Sequence, residues 1–437
     1  MKRSQVIAGI DIGTSKTATV ITTVDENETL SIIGVAQSVS RGVRKGQIVD
    51  IEEATSTVVK SLEAAERMAG YQVQSAFISV GGTHISSQNS HGVVAVAEPS
   101  KEISEHDVAR VIEAAKAISL ASARQIIHVL PRFYTVDSQE GIKDPIGMSG
   151  VRLEVDTHLV TGGMTSLKNI EKCVTNVGID SEGFVFNGLA SAESVLTETE
   201  KELGVVLLDV GAGTTDIAVY VEGALSYSSV LPIGARNVTN DLAIGLRISL
   251  ESAEKLKLFL SKQKKTITRP VVPVDKERSD KKHRTTQDLE EIDVSSLNLP
   301  EGIRTVSKKT IVEGIIRPRL NELFSLISAE IKKSGFAGVV PSGIVLTGGG
   351  AQTAGIQEAA RRTIALPFRI GTPHDIRGVT DEINAPSYAT AIGLVKYGMQ
   401  MEPKEKGSMM KLSSFISGSP IKGTAGKLID LAKSLLP

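Results

Sequence analysis

The sequence predicts an α/β chain of two lobes, and three segments carry that prediction. The first is Ile7-Ala8-Gly9-Ile10-Asp11-Ile12-Gly13-Thr14-Ser15-Lys16-Thr17. The second is Leu207-Leu208-Asp209-Val210-Gly211-Ala212-Gly213-Thr214-Thr215-Asp216. In each, an apolar run ends in Asp, passes through Gly and hydroxyl residues, and enters a new β-rich run, Ala18 to Thr23 or Ile217 to Val221. The pattern reads as strand, tight turn, strand. The third segment, Ile344-Val345-Leu346-Thr347-Gly348-Gly349-Gly350-Ala351, is a strand running into three glycines.

Both hairpin turns have the composition of a phosphate cradle. Glycine lets backbone approach a ligand closely, and Ser or Thr adds donors beside the backbone N–H groups. Asp11 and Asp209 are each suited to hold Mg²⁺ through water, because hard cations prefer oxygen ligands. Two such hairpins facing each other would clamp a nucleoside triphosphate, with the three glycines as a backbone shelf for adenosine. One copy alone reads as a plain β-turn; two copies and the glycine strand together point to a site. The three segments resemble the nucleotide site of the actin, sugar-kinase and Hsp70 superfamily.

Composition narrows the class. At 437 residues the chain is too long for one simple core, which agrees with two or more lobes. The formal net charge of -1 removes the broad basic field of a nucleic-acid binder. Cys173 is the only cysteine, which excludes an intramolecular disulfide and any multi-cysteine zinc site. Met1-Lys2-Arg3 leads almost directly into the first hairpin, and Asp11 interrupts its apolar run. Neither a signal peptide nor a membrane span is expected there, and the expected setting is cytoplasmic.

Along the chain, residues 1–82 read as the first part of the nucleotide-binding first lobe. Its helix is expected over Ala54 to Met68, where Val58, Val59, Leu62, Ala65 and Met68 fall at helical spacing, followed by a β-run from Ala76 to Val80. Residues 83–165 have a different texture and read as an inserted α+β subdomain. β-type alternation runs from Ile85 to Val96. Ser104 then caps a helix with Asp107 three residues on, and Val108, Val111, Ile112, Ala115 and Ile118 form its apolar face. Strands are expected at Ile126 to Leu130, Phe133 to Val136 and Arg152 to Val160.

Residues 166–202 return to the first lobe, and 203–239 open the second through its hairpin. Residues 240–334 form an outer subdomain, with an amphipathic helical region from Asn240 to Leu260 and a long helix from Ile311 to Ile331 that tolerates Pro318 early. Between them, Lys262 to Asp293 carries both charge signs and reads as a solvated excursion. Residues 335–386 complete the second core, and 387–401 form a small-residue closing helix. Residues 402–418 read as a flexible linker. Residues 419–437 read as an amphipathic membrane-surface segment: Leu428, Ile429, Leu431, Leu435 and Leu436 are apolar, and Lys427 and Lys433 polar.

Within the superfamily the chain resembles FtsA, the bacterial cell-division actin homologue. The resemblance rests on the insert, on His128-Val129-Leu130-Pro131-Arg132-Phe133-Tyr134-Thr135-Val136-Asp137, on Asp144-Pro145-Ile146-Gly147-Met148-Ser149-Gly150, and on the linker and tail. It implies an actin-like two-lobed ATPase fold with one subdomain replaced by the insert. The implied role is that of an ATP-binding adaptor. It polymerises on the cytoplasmic face of the membrane at the septum, ties FtsZ filaments of the Z ring to it, and helps recruit later division proteins. The implied partners are the FtsZ C-terminal peptide, further copies of the chain and membrane lipids. Arg236, Asn237 and Lys308 are the expected peptide contacts.

The resemblance also assigns the site. Gly13, Thr14 and Ser15 contact the terminal phosphates and Lys16 adds charge beside them, while Gly211, Gly213, Thr214 and Thr215 form the opposing loop. Gly348, Gly349 and Gly350 approach adenosine, and Glu254 and Lys257, one helical turn apart, match the pair that holds adenine and ribose in relatives. Where filament-forming relatives often place a water-orienting Glu, this chain has Asn187 or Gly188, and Glu193 lies too far along the helix. Slow turnover is therefore expected. Two readings of the same superfamily stay open: an ATP-dependent sugar kinase, which would need a catalytic Asp in a substrate cleft, and a pilus-assembly actin-like adaptor, which usually lacks such a tail.

Overall fold

The computed structural model describes residues 5–25, 29–97, 102–263, 291–378 and 383–401. The chain divides into two compact units, residues 1–399 and 400–437. The expected linker and amphipathic segment, with Leu428, Ile429, Leu431, Leu435, Leu436, Lys427 and Lys433, lie outside the described residues, as does most of the charged stretch after Lys262. Among the described residues no helix is long and apolar enough to cross a membrane.

The first unit is built twice on one plan. In the first sheet, Leu30–Val39, Lys16–Val24 and Gln5–Ile12 form an antiparallel meander, and Ser75–Val80 and Asp180–Phe186 extend it in parallel. In the second, Ala224–Leu231, Thr215–Val221 and Val205–Val210 form the meander, and Ile344–Thr347 and Phe368–Ile370 extend it in parallel. Each leading strand is apolar on both faces and buried along most of its length, as expected of a strand covered by helices on both sides. This is the actin-like α/β fold the sequence predicts. Two large apolar cores result: one around Ile10, Ile78 and Phe186 that also takes in Leu207, Tyr220 and Val345 from one face of the second sheet, and one around Leu208, Leu256 and Phe324 on its other face.

Local chemistry sets most boundaries. The first long helix runs Ile51–Ala69: Asp50 accepts a bond from the Glu53 N–H at its start, and Gly70 turns left-handed at its end. In the insert, Ser104 and Asp107 form the expected capping box on the helix Glu105–Lys116. That helix covers a sheet ordered Ser86–Ala95, Arg152–Gly163, Arg124–Val136, Gln139–Ile142. The insert also reaches the edge strand of the second sheet. Ser87 donates to the Ser228 carbonyl at 2.6 Å, Arg132 donates to Ser226 Oγ at 3.1 Å, and His158 Nε2 meets Ser228 Oγ at 2.9 Å.

Three elements differ from expectation. The strands expected at Ile126 to Leu130 and Phe133 to Val136 are one strand, Arg124–Val136, running through Pro131. Arg132 bulges out beside it, because the consecutive residues Asp156 and Thr157 pair with Phe133 and Pro131, and a bulge is where a residue lacking an N–H is tolerated. The region Asn240 to Leu260 is two helices, Ala235–Leu246 and Leu250–Gln263, separated where Arg247 takes a φ of +56°. The long helix begins as a π-helical run, Lys309–Ile316, and becomes α-helical at Arg317–Lys333. Pro318 has no N–H to close the preceding turn, and the backbone there takes the wider pattern.

Candidate nucleotide site

The two hairpins share one pairing register. Asp11 faces Ala18 and Ile12 faces Thr17; Asp209 faces Asp216 and Val210 faces Thr215. The Gly13 N–H donates to the Lys16 carbonyl at 3.0 Å, and the Gly211 N–H to the Thr214 carbonyl at 2.9 Å. Residues 13–16 and 211–214 are thus equivalent turns. They also face each other: a Cβ on Gly213 would lie 2.8 Å from Thr14 Oγ1. Only glycine permits that approach. Gly13, Thr14 and Ser15 keep part of their surface open. Thr215 differs from the rest of its loop, because its buried hydroxyl is committed to the Ile233 carbonyl at 2.8 Å.

Three carboxylates gather behind the turns. Asp11 accepts from Ser79 Oγ at 2.8 Å. Asp209 accepts from Ser191 and, at 2.9 Å, from Thr390. The third is Asp216, which sequence reasoning left out of the site although the hairpin register places it directly across from Asp209. Burial raises the Asp11 carboxyl to about 6, and Lys16 and Ser79 oppose that rise. Burial raises Asp209 against the pull of its two hydroxyl donors. Asp216 is pushed well above the ordinary range by burial, then by Asp209 and Asp11. Lys16 sits between them with its ammonium 3.9 Å from the Tyr388 ring centre, its pKa lowered by burial.

Lys16 Nζ, Asn187 Oδ1 and Asp216 Oδ1 are buried without a hydrogen-bond partner. Each such group costs about 1–3 kcal/mol unless something fills the gap. Phosphate oxygens would supply an acceptor for Lys16, and a hydrated divalent cation would supply water donors and positive charge for the carboxylates. The residues therefore fit a magnesium nucleotide. Among the described residues no three His, Cys, Asp or Glu side chains are placed to ligate a metal directly; Asp11 and Asp209 would reach it through water.

The glycine shelf has two jobs. A Cβ on Gly348, whose φ is +82°, would meet Asp209 Oδ1, and one on Gly350 would lie 2.7 Å from the Val210 carbonyl. These two glycines let the turn close onto the Asp209 strand. Gly349 is the open member, with Ser387 Cβ the nearest atom at 3.9 Å. Glu254 and Lys257 are linked: Lys257 Nζ, buried, donates to Glu254 at 2.7 Å, to Thr239 at 2.8 Å and to the Ala235 carbonyl at 3.3 Å. The Ala235 N–H in turn donates to the Gly211 carbonyl at 2.9 Å, which ties the pair to the second turn.

A cavity of about 450 Å³, within the usual range of ligand sites, opens over both turns, with Thr14, Ala212 and Gly213 in its wall. Arg236 and Asn237 line it as well. The helix start at Ala235, bonded to the second turn, brings them to this cleft. Lys308 is exposed. Asn187 begins the helix Asn187–Val195 and its side chain bonds to Asp216. Glu193 is paired with Lys201 at 3.0 Å, away from the turns.

Two family models match the chain: residues 82–161 match the SHS2 domain inserted in FTSA, and residues 206–393 match Cell division protein FtsA. The chain is 38% identical over 420 residues to Cell division protein FtsA of Pseudomonas aeruginosa, covering 96% of this chain and 95% of that one. It is 36% identical over 425 residues to that of Escherichia coli K12, covering 96% of each. Among solved structures, it is similar to the PilM-PilN type IV pilus biogenesis complex, with a TM-score of 0.62 and 14% identity over 91% of this chain and 99% of that one. It is also similar to the ethanolamine utilization protein EutJ from Carboxydothermus hydrogenoformans, with a TM-score of 0.51 and 15% identity over 90% of each. At these identities the likeness to both solved structures is one of fold.

Proposed function

This chain belongs to the FtsA family of cell division proteins, and from that premise we propose that it is an ATP-binding actin-like division protein. In this reading Mg-ATP sits between the two turns, with its phosphates on Gly13, Thr14, Ser15 and Gly211, Gly213, Thr214, its charge met by Lys16, and its base and ribose toward Gly349 and the Glu254–Lys257 pair. Asp11 and Asp209 orient the hydrated Mg²⁺. The observation that carries the reading is the meeting of two equivalent turns at Thr14 and Gly213, beside buried polar atoms that lack partners.

The chain then polymerises on the cytoplasmic face of the membrane at the septum, ties FtsZ filaments to it through the FtsZ C-terminal peptide, and helps recruit later division proteins. Head-to-tail stacking is a contact that does not close and so propagates. The segment 419–437 is the lipid contact, through Leu428, Ile429, Leu431, Leu435 and Leu436 with Lys427 and Lys433. Asn187, an amide where a carboxylate would orient water, makes turnover slower than the roughly 10 per second typical of enzymes. Pelleting with anionic lipid vesicles and Mg-ATP, followed by electron microscopy of the pellet, tests the whole reading. Filaments on vesicles support it; a chain that stays monomeric and in the supernatant refutes it.

A further inference from the structure

The cavity over the turns has cationic walls that neither hairpin supplies. Arg44, Lys45 and Arg236 all line it, and no carboxylate does. None of the three has an ion-pair partner among the described residues, whereas Arg319 pairs with Asp241 and Arg369 with Glu200. Arg44 and Lys45 belong to a small hairpin in which Val43–Arg44 pairs with Gln47–Ile48. Lys45 at its tip takes a φ of +50°, a conformation L residues with a Cβ seldom hold.

That hairpin is fixed against both phosphate turns. The Gly46 N–H donates to Thr14 Oγ1 at 3.1 Å. The Lys45 Cα lies 3.1 Å from where a Cβ on Gly213 would be. Gln47 donates to Thr83 at 3.1 Å, and Val43 is buried beneath. Strain at the tip is therefore held by contacts on three sides, which is how backbone in sparse conformations persists at binding sites.

Charge says what the walls are for. Behind the turns stand Asp11, Asp209 and Asp216 with only Lys16 to offset them. A divalent cation balances that floor and leaves the triphosphate's own charge unmatched. We propose that Arg44 and Lys45, with Arg236 opposite, clamp the terminal phosphates of the bound nucleotide, as a third phosphate-contacting element beside the two turns. The proposal rests on the ATP reading and deepens it. It assigns affinity for the terminal phosphates to cations outside the paired hairpins, and makes the walls the part of the site that senses whether those phosphates are present.

Calorimetric titration of the full chain with Mg-ATP and with AMP tests it, using Arg44→Gln, Arg236→Gln and Lys45→Asn; asparagine tolerates the left-handed backbone. Each variant should weaken Mg-ATP binding by about tenfold, the scale of a hydrogen bond to a charged group, with AMP affinity unchanged. Arg44→Lys should retain most of the parent's affinity. Mg-ATP affinity within about twofold of the parent in all three variants, or equal losses for AMP, would overturn the clamp. A parent chain that binds no Mg-ATP would overturn the ATP reading itself, so the two failures are distinguishable. Unaltered thermal melting of each variant confirms that the fold is intact.

Discussion

Replacing Asp11 with Asn should stabilise the nucleotide-free protein while weakening its site. Burial lifts the Asp11 carboxyl from an ordinary 3.8 to about 6 in the folded protein. At about 1.4 kcal/mol per pKa unit, holding it ionised costs the fold about 3 kcal/mol. The folded pKa lies above the unfolded one, so this carboxyl's contribution is intact below about pH 4 and is lost as pH rises through about 6. Asn stays neutral at every pH, and its Oδ1 keeps accepting the Ser79 hydroxyl now bonded at 2.8 Å. The variant should therefore gain up to about 3 kcal/mol near pH 7.5 and almost nothing near pH 4. The chain has no Trp, so circular dichroism suits the denaturation experiment better than intrinsic fluorescence. Mg-ATP affinity should fall in the same variant, because the charge that orients the hydrated cation is gone. A variant less stable than the parent near pH 7.5, or a gain of equal size at both pH values, would refute the reasoning.

Gly350→Ala should cost about 1–3 kcal/mol of stability in thermal melting, because its Cβ would crowd the Val210 carbonyl, while Gly349→Ala should be nearly neutral. A binding defect in Gly350→Ala thus reports on the fold as much as on the nucleotide. Removing residues 426–437, or Leu431→Glu, should abolish vesicle pelleting and leave ATP binding intact; a truncated chain that pellets as well as the parent would show that the tail is not the anchor. The FtsZ C-terminal peptide, titrated by fluorescence anisotropy, should bind and crosslink within residues 236–334, and crosslinks confined to the first lobe would exclude that location.

What was legible in the sequence was local. Each hairpin announces itself within about ten residues, and the Ser104–Asp107 capping box needs only four. Asp216 was missed because its role depends on pairing: it becomes a site residue only once the register sets it across from Asp209. The strand through Pro131 reads as two because the bulge that accommodates the proline, at Arg132 beside it, shows only once the pairing with Asp156 and Thr157 is known. The break at Arg247 is marked only by Gly245 two residues before it and by Ser249 two residues after, whose hydroxyl accepts from the Ser252 N–H, and the apolar spacing runs on across both. That Arg236 and Asn237 also line the cavity over the turns is not legible in the sequence, because the bonds of Ala235 to Gly211 and Arg236 to Ala212 join segments some twenty-four residues apart. The hairpin around Lys45 meets its partners Thr14 and Gly213 only through the tertiary fold, and no periodicity in the chain encodes that meeting.

Calorimetric titration of the parent and of Asp209→Asn tests most directly whether the two facing turns bind Mg-ATP. Asn keeps an oxygen to accept from Ser191 and Thr390, so the variant preserves the local bonds while removing the charge. One saturable Mg-ATP site per parent chain is expected, weakened when Mg²⁺ is chelated, with a loss of affinity of at least about tenfold in Asp209→Asn and melting no lower than the parent's. A parent that binds no Mg-ATP, or an Asp209→Asn chain that binds it as tightly as the parent, would contradict the Mg-ATP reading.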